Sequence, residues 1–228
     1  MSDKELNNIL NKLNSQNKIT QYLFFKRPIS ENIEYCKFFK EKDLDIYPYQ
    51  SYLIKNKENQ YVGIVLVMCK DLHWHLKKEY RGKGYLSVAL NETILPHLLM
   101  EREEQYITIS RNNIGDENFK ASEKVALSVG FNFIKQENET NIYLLKRDDL
   151  LDQKLLFGQN TVMSEEKMIE LKNKFRFLAK QLNIIGTEIE VQADDSDFSE
   201  DIGDLSSKMN SYSNLIEDKW YETYSKPN

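Results

Sequence analysis

The fold of this chain is decided by residues 72–95, which read LHWHLKKEYRGKGYLSVALNETIL. Apolar residues and histidines alternate over residues 72–76, a pattern that predicts a strand with two different faces. His73 and His75 share one face of that strand, and large apolar side chains occupy the other. A charged, glycine-containing segment follows at residues 77–84, and apolar residues then recur at helical spacing. The stretch therefore predicts a strand, a loop and a helix.

The loop Arg81-Gly82-Lys83-Gly84 has the composition of an anion site. Glycines let the backbone approach a ligand closely, and the amides at a helix start point outward without an intrahelical acceptor. A phosphate there would accept backbone hydrogen bonds and would gain from the helix dipole and from two positive side chains. An ordinary glycine turn flanked by basic residues is the alternative that these four residues leave open.

The neighbouring segments predict a mixed α/β domain over about residues 18–147. Its helix after the loop, at 85–102, is expected to bend at Pro96. The remaining predicted elements are strands at 20–25, 50–55, 61–69, 72–76 and 106–110, helices at 30–42 and 118–129, and a closing hairpin with strands at 131–134 and 142–145.

Both ends of the chain predict helices outside this domain. Residues 1–17 form a short amphipathic helix capped by Ser2, which would pack on the domain or on a partner. Residues 148–228 form a helical extension in which the acidic stretch 188–204 reads as a solvated linker and 205–221 as an amphipathic segment. A helix at 163–182 carries an apolar stripe that predicts packing on the main domain, a partner helix or a second copy in a dimer. The stripe consists of Met168, Leu171, Phe175, Leu178 and Leu182.

Composition narrows the classes of partner. The 228 residues carry a net charge of −5, which argues against a nucleic-acid phosphate backbone as the ligand. No stretch approaches the roughly 20 apolar residues that cross a bilayer, and the polar start lacks the order of a secretion signal. Two cysteines without metal spacing favour reduced thiols, and a cytoplasmic protein is expected.

Residues 79–85, EYRGKGY, resemble the pyrophosphate-binding loop of the GNAT (Gcn5-related) N-acetyltransferase family. In that family Arg or Gln, two residues, Gly, one residue, and Gly or Ala open the main helix. Val129-Gly130-Phe131 resembles the family's Gly-Phe signature between a helix and a strand. The resemblance implies a mixed α/β fold with a mostly antiparallel central sheet flanked by helices, to which the C-terminal helical extension is added.

The resemblance also implies positions for acetyl-CoA as co-substrate. Backbone groups of Leu76 and Lys78 would bind the pantetheine arm, and the family's asparagine has approximate counterparts in Asn112, Asn113 and Asn118, of which we assign Asn118. The main-chain groups implied for the pyrophosphate belong to Arg81, Gly82, Lys83, Gly84, Tyr85 and Leu86.

The sequence departs from the family pattern at two positions. Leu86 stands where the family prefers Gly or Ala, which predicts a bulky side chain beside the pyrophosphate. Ala126 stands where the family often carries the tyrosine that protonates the leaving thiolate. Tyr85 is assigned to replace that tyrosine, with Tyr80 and Tyr106 as alternatives.

The catalytic expectation is transfer of an acetyl group from acetyl-CoA to a primary amine of a small molecule or protein, without a covalent enzyme intermediate. His73 or His75 would serve as general base if their face lined the cleft; the alternative is that both are partly buried and hydrogen-bonded on the sheet. Two histidines without a third ligand predict no metal site. The competing hypothesis is a GNAT-like module that has lost catalysis and acts in protein–protein interaction through its terminal helices.

Overall fold

The computed structural model describes residues 1–15, 22–40, 47–150, 163–193 and 195–224. The chain divides into two units, residues 1–161 and residues 162–228. The first unit contains α1 (Asp3–Asn14), β1 (Tyr22–Ser30), β2 (Ile33–Lys40), β3 (Tyr49–Lys55), β4 (Tyr61–Met68), β5 (Asp71–Leu76), α2 (Tyr85–Ala89), a π-turn (Leu90–Ile94), α3 (Leu95–Leu99), β6 (Glu104–Ser110), α4 (Arg111–Ser128), β7 (Asn132–Glu137) and β8 (Thr140–Lys146). The second unit contains α5 (Glu165–Ala193) and α6 (Ser196–Tyr224).

The strands of the first unit form two antiparallel sheets. β1 to β5 lie in sequence order in a five-stranded sheet, and the second sheet has the order β6-β8-β7. The sheets meet where β5 and β6 begin, because the Tyr106 amide donates to the Lys70 carbonyl at 3.0 Å and the Thr108 amide donates to Asp71 Oδ1 at 3.0 Å. Beyond this junction no ladder joins β5 to β6 in the described part of the chain. The two strands therefore begin side by side and then belong to separate sheets.

Helix α1 covers one face of the five-stranded sheet. Its Ser2 cap forms a reciprocal pair with Glu5, and its apolar side is fully buried at Leu6, Ile9 and Leu10. These side chains pack on a cluster from the sheet that includes Cys36, Phe38, Leu53, Tyr61, Ile64 and Leu66. The terminal helix thus packs on the domain, which is one of the two placements expected for it.

The other face of the sheet carries the main core. The α2–α3 helix and α4 contribute to this core, together with strands of both sheets. The π-turn ends at Ile94, two residues before Pro96, whose ring nitrogen has no hydrogen to donate. The helix thus has a locally wider turn next to the position where a bend was expected. Apolar side chains of the core that come from the five-stranded sheet are Ile33, Tyr52, Ile54, Val62, Val65, Leu72 and Leu76.

The helix expected at residues 30–42 is wrong, because Ile33–Lys40 is strand β2, paired with β1 and β3. Ile33 faces the main core, whereas Cys36 and Phe38 face α1, so the segment alternates between two buried faces. Pro28 lies inside β1, which tolerates a residue without an amide hydrogen because β1 is the outer strand of the sheet.

The second unit is an antiparallel pair of long helices. Ser164 caps α5 through its hydroxyl, which accepts from the Lys167 amide at 3.2 Å, and the Asp195 carboxylate accepts from the Phe198 amide at 2.9 Å at the start of α6. The acidic stretch 188–204, expected as a linker, is therefore helical on both sides of the bend. No helix within the described ranges has the length and apolar character to cross a membrane.

Small residues bring α5 and α6 close together. Ser206 Oγ donates to the Ala179 carbonyl at 2.9 Å, and a Cβ at Gly186 would lie 3.3 Å from the Ser199 carbonyl oxygen. Near the other end of the pair, Trp220 Nε1 donates to the Met163 carbonyl at 2.6 Å. Part of the stripe predicted on residues 168–182 also faces α6, because the ring centre of Phe175 lies 5.9 Å from that of Tyr212.

Replacing Ile9 with Ala tests whether α1 is an integral part of the first unit. Ile9 is fully buried against the sheet, so we expect a loss of about 2 to 5 kcal/mol in the free energy of unfolding, measured by urea denaturation. Asn8→Ala, at the exposed neighbouring position, is the control and should change stability by less than about 0.5 kcal/mol. Equal effects of the two substitutions would contradict the docking of α1.

Candidate functional site

Strand β5 presents part of its backbone to the space beside β6. The Lys77 amide donates to the Val62 carbonyl at 3.0 Å, so the backbone groups of Lys77 point toward β4. Because these groups alternate along an antiparallel strand, those of Trp74 and Leu76 point the other way. Lys70 lies an even number of residues before Trp74 and Leu76, so its backbone groups point to the same side, and its carbonyl accepts from the Tyr106 amide of β6. The edge of β5 therefore directs the backbone groups of Trp74 and the amide of Leu76 toward a ligand, whereas the Leu76 carbonyl accepts from Arg81 Nε at 3.1 Å.

The loop after β5 holds two glycines in the left-handed region. Gly82 has a φ of 71° and Gly84 a φ of 83°, and apart from the two adjoining residues no described residue has a heavy atom within 4 Å of a Cβ placed on either glycine. The Val88 amide makes the first bond of the helix, to the Gly84 carbonyl at 3.0 Å. Within the described residues, the amides of 82–87 donate no hydrogen bond to the chain. The loop therefore combines free main-chain donors with open space above both glycines.

Arg81 fastens this loop to two other elements. Its Nε donates to the Leu76 carbonyl at 3.1 Å, and its Nη1 donates to Asn118 Oδ1 at 3.1 Å. The Asn118 amide group donates in turn to the Ile114 carbonyl at 2.9 Å, next to the non-helical Gly115 within α4. The guanidinium thus connects β5, the loop and α4. Asn118, assigned to the cofactor by resemblance, supports the loop through Arg81.

Two tyrosines and Lys83 form the rim of the loop. Lys83 Nζ lies 5.5 Å from the centre of the Tyr80 ring, and the Tyr80 and Tyr85 rings meet edge to face at 5.9 Å. The Tyr80 hydroxyl donates to Gln60 Oε1 at 3.1 Å. Tyr85 is the first residue of α2 and is half-buried against the main core. Lys78 begins a short 3₁₀ turn, and its carbonyl accepts from the Arg81 amide at 3.3 Å.

The two departures from the GNAT pattern have different structural outcomes. The Leu86 side chain was expected to crowd the outer side of the loop. It is instead 8% exposed and belongs to the main core, so it leaves that side of the loop clear. Its amide remains among the donors that precede the first helical bond. Ala126 is fully buried in α4, so that position offers no phenol and contributes only packing.

His73 and His75 lie on the face of β5 that α1 covers. His73 Nε2 is 3.0 Å from Asp3 Oδ1, and His75 Nδ1 is 3.6 Å from Asp3 Oδ2. His75 is 7% exposed, and neither of its ring nitrogens has a hydrogen-bond partner among the residues that the structure describes. As the alternation predicted, Leu72 and Trp74 occupy the opposite face. This placement under α1 matches the structural alternative for His73, which is partly buried and hydrogen-bonded. His75 is also covered by α1, but without the hydrogen bond that the alternative expected.

The sequence did not indicate several polar contacts near this region. Tyr143 Oη donates to Glu123 Oε1 at 2.5 Å, and burial together with Glu123 raises the pKa of Tyr143 to about 12. Trp74 Nε1 donates to Ser122 Oγ at 3.4 Å, which links β5 to α4 a second time. These partners come from distant segments, and no local motif identifies them. In the described ranges, no group of three or more His, Cys, Asp or Glu residues is arranged to hold a metal ion.

Comparisons with known proteins assign no family to the chain. No protein-family model and no curated protein matches it. Among solved structures it is similar to a domain from Methanocaldococcus jannaschii DSM 2661, at 18% sequence identity and a TM-score of 0.34, over 64% of this chain and 94% of that domain. This level of similarity supports no statement about fold or function.

His75→Leu tests the role of the buried histidine. Burial lowers the pKa of His75 below its ordinary value of 6.5, so the unfolded chain binds more protons than the folded chain just below pH 6.5. The free energy of unfolding of the wild type should therefore fall as the pH decreases through this window. The variant should show a shallower fall and should be at least as stable at pH 7.5, because it removes two buried nitrogens without partners.

Urea denaturation across this pH range measures the effect. His97, whose pKa burial also lowers, contributes the slope that remains in the variant. An unchanged pH profile, or a large loss of stability at pH 7.5, would contradict this account of His75.

Proposed function

We propose that the first unit binds an acyl-CoA, with acetyl-CoA as the expected co-substrate, and transfers the acyl group to a primary amine of a small molecule or protein. The observation that carries the proposal is the loop at residues 81–87, where free main-chain amides, two left-handed glycines and a helix start occur together beside the open edge of β5. The resemblance of residues 79–85 and 129–131 to GNAT enzymes supports the same assignment.

The loop suits a pyrophosphate through main-chain donors. Amides of residues 82–87 would donate to the phosphate oxygens, and the start of the α2–α3 helix would add a favourable dipole. Arg81 has two of its donors engaged by Leu76 and Asn118, so its charge acts from a fixed position. Lys83 contributes a second positive charge at the rim. An inward-pointing Leu86 side chain is compatible with this mode of binding.

The open edge of β5 suits the pantetheine arm. Pantetheine is an extended chain with two amide groups, and it can pair with a strand edge as an additional strand does. The backbone groups of Trp74 and the amide of Leu76 point toward the space beside β6, and the Leu76 carbonyl already accepts one hydrogen bond from Arg81. An arm bound there would lead from the loop along the gap between the two sheets, with the thioester inside the gap.

The chemistry requires little covalent participation from the protein. The amine nitrogen attacks the thioester carbonyl, the carbon–sulfur bond breaks, and the thiolate leaves as CoA after taking up a proton. Tyr85, assigned from the sequence as the donor of that proton, lies at the loop beside the proposed pyrophosphate site and a pantetheine length from the thioester, so water is the proposed donor in this mode of binding. With both histidines under α1, water is the proposed acceptor of the amine proton. The acidic net charge favours a cationic acceptor.

A pair of substitutions at Gly84 tests the anion site. Gly84→Glu and Gly84→Lys impose the same left-handed strain and similar bulk, but they carry opposite charges. We expect the wild type to bind acetyl-CoA with micromolar affinity by calorimetric titration. The Glu variant should lose at least about 100-fold in affinity, and the Lys variant should bind at least about tenfold more tightly than the Glu variant.

Thermal unfolding of both variants provides the control, because strain should lower their stability equally. Equal affinities for the Glu and Lys variants would contradict an anion site at the loop. Absence of binding in the wild type at millimolar acetyl-CoA and CoA would remove the acyltransferase proposal. With binding established, release of free thiol in the presence of an amine panel measures transfer.

Asn118→Ala tests the support that α4 gives to the loop. The substitution removes the oxygen that accepts from Arg81, so the guanidinium should become less well positioned. We expect acetyl-CoA affinity to fall by about three- to tenfold with little change in thermal stability, because Asn118 is exposed. Asn113→Ala, in the segment of α4 before Gly115 and also exposed, is the control and should bind as the wild type does. Equal affinities for the two variants would contradict this role of Asn118.

The second candidate function is a protein-interaction module without catalysis. The observation that favours it is the apolar surface of α5 and α6, on which Leu178, Ile185, Phe198 and Leu205 are each about half exposed. This candidate predicts a folded protein that binds neither acetyl-CoA nor CoA, so the titration above separates the two functions.

A further inference from the structure

The α5–α6 hairpin has a second apolar surface in addition to the one that joins its two helices. The joining surface contains Ala179 and Gly186 on α5 and Ser206 on α6. The second surface, which we call the outer face, contains Leu178, Ile185, Phe198 and Leu205, and these side chains are 45–50% exposed. Members of each pair are seven residues apart, the spacing at which helices pack as coiled coils.

The four residues of the outer face lie on one side of the hairpin. A helix turns by about 100° per residue, so Leu178 and Ile185 lie about 100° from Ala179 and Gly186. Phe198 and Leu205 likewise each precede a residue of the joining surface, Ser199 and Ser206, by one position. They are therefore rotated from it by the same 100° about the axis of α6. In two antiparallel helices, equal rotations from the shared contact lead to the same side. Half-buried Ile202, Met209, Tyr212 and Ile216 extend this side along α6.

The dimensions of the outer face fit a stable protein interface. Each helix has 29 residues, which corresponds to a length of about 43 Å. Two packed helices are about 20 Å wide, so one side of the hairpin offers about 800 Å². A standard interface buries about 800 Å² on each partner. An identical hairpin would cover this area completely.

The charges beside the outer face are self-complementary in one orientation. Lys167, Lys174, Gln181 and Glu188 follow one another at seven-residue spacing along the flank of α5. In an antiparallel pair of α5 helices centred at Gln181, Lys174 of each copy lies opposite Glu188 of the other. Lys174 contacts Glu170 of its own helix, but its side chain is 59% exposed and an ammonium has three donors. A parallel pair would place like charges opposite each other.

The acidic residues 188–204, where α5 ends and α6 begins, also disfavour a parallel dimer, because like charges would again lie side by side. No lysine or arginine occurs between residues 188 and 204. Residues 188–193 and 195–204 together carry seven acidic side chains. These are Glu188, Glu190, Asp195, Asp197, Glu200, Asp201 and Asp204. Two bends side by side would repel each other, and an antiparallel arrangement keeps them at opposite ends.

We propose that the α5–α6 hairpin pairs with the hairpin of a second copy of this chain, outer face to outer face and antiparallel, as a four-helix bundle. The assembly is a two-fold dimer, so the same residues contribute from each copy. Leu178 and Ile185 of one α5 pack on those of the other. The contacts of Ala179 with Ser206 and of Gly186 with Ser199 place residue 204 level with Gln181, so Leu205 packs near its own counterpart and Phe198 near Met209 of the second copy. The dimer does not depend on acyl transfer.

Two neighbouring isoleucines provide a matched test of the outer face in the full chain. Ile185 lies on the outer face, whereas Ile184 points about 160° away from Gly186, to the side opposite α6, and is 58% exposed. Light scattering after gel filtration and sedimentation velocity should show a wild-type dimer. Ile185→Asp should raise the dimer dissociation constant at least about 100-fold, and Ile184→Asp should leave it nearly unchanged.

Several outcomes would overturn the proposal. One is a wild type that remains monomeric up to near-millimolar concentration, including a monomer in which hydrogen exchange shows the outer face protected by the first unit. Another is an equal rise in the dimer dissociation constant for Ile185→Asp and Ile184→Asp. That result would mean that an aspartate anywhere on α5 weakens the dimer, whichever face it occupies. Far-UV circular dichroism of each variant verifies that both helices are retained.

Charge reversal tests the orientation. Lys174→Glu alone and Glu188→Lys alone each create like-charge contacts in an antiparallel dimer, and each should raise the dissociation constant by about two- to fivefold at low salt. The double variant Lys174→Glu/Glu188→Lys restores opposite charges and should return to the wild-type value. A parallel dimer retains like-charge contacts in the double variant. A dissociation constant of the double variant that stays as high as those of the single variants would therefore overturn the antiparallel arrangement.

Discussion

Burial of both faces of β4 and β5 is the constraint on which the first unit depends. Helix α1 covers one face of these strands, and the α2–α3 helix together with α4 covers the other. A strand covered on two faces can offer a ligand only its edge and its ends. For β5 the edge toward β6 is open beyond the junction at Lys70, and its end leads into the loop. The candidate site thus follows from the way the core is closed.

The sequence predicted those parts of the fold whose pattern is local. The strands near 50–55, 61–69, 72–76 and 106–110 are confirmed, as is the division of β5 into a histidine face and an apolar face. Residues 30–42 matched a helical pattern, but residues 33–40 form a strand because their side chains are buried alternately on the two faces of the sheet. Residues 188–193 and 196–204 of the acidic stretch are helical because their charges remain on exposed faces while Gly186 and Ser206 allow close contact. Such outcomes depend on distant partners that a local pattern does not contain.

The same limit applies to the candidate site. The glycines and basic residues of the loop were evident from the sequence, because a short motif holds all of them. The partnership of Arg81 with Asn118 spans 37 positions, and Asp3 meets His73 across 70 positions. The direction of the Leu86 side chain was also beyond a motif, since it depends on how the helix rotates onto the core. A sequence indicates which groups carry charge, whereas packing determines which of them meet.

The donors of the loop belong to the main chain, and this has a consequence for how such a site is discovered. Substitution by alanine at residues 83 and 85–87 would leave every amide in place, so an alanine scan of the side chains would pass over the donors themselves. Only changes that alter the backbone path or fill the space above the glycines would register. A surface of this kind can diverge widely in its side chains while it retains the same pattern of donors, which hides it from comparisons of residue identity.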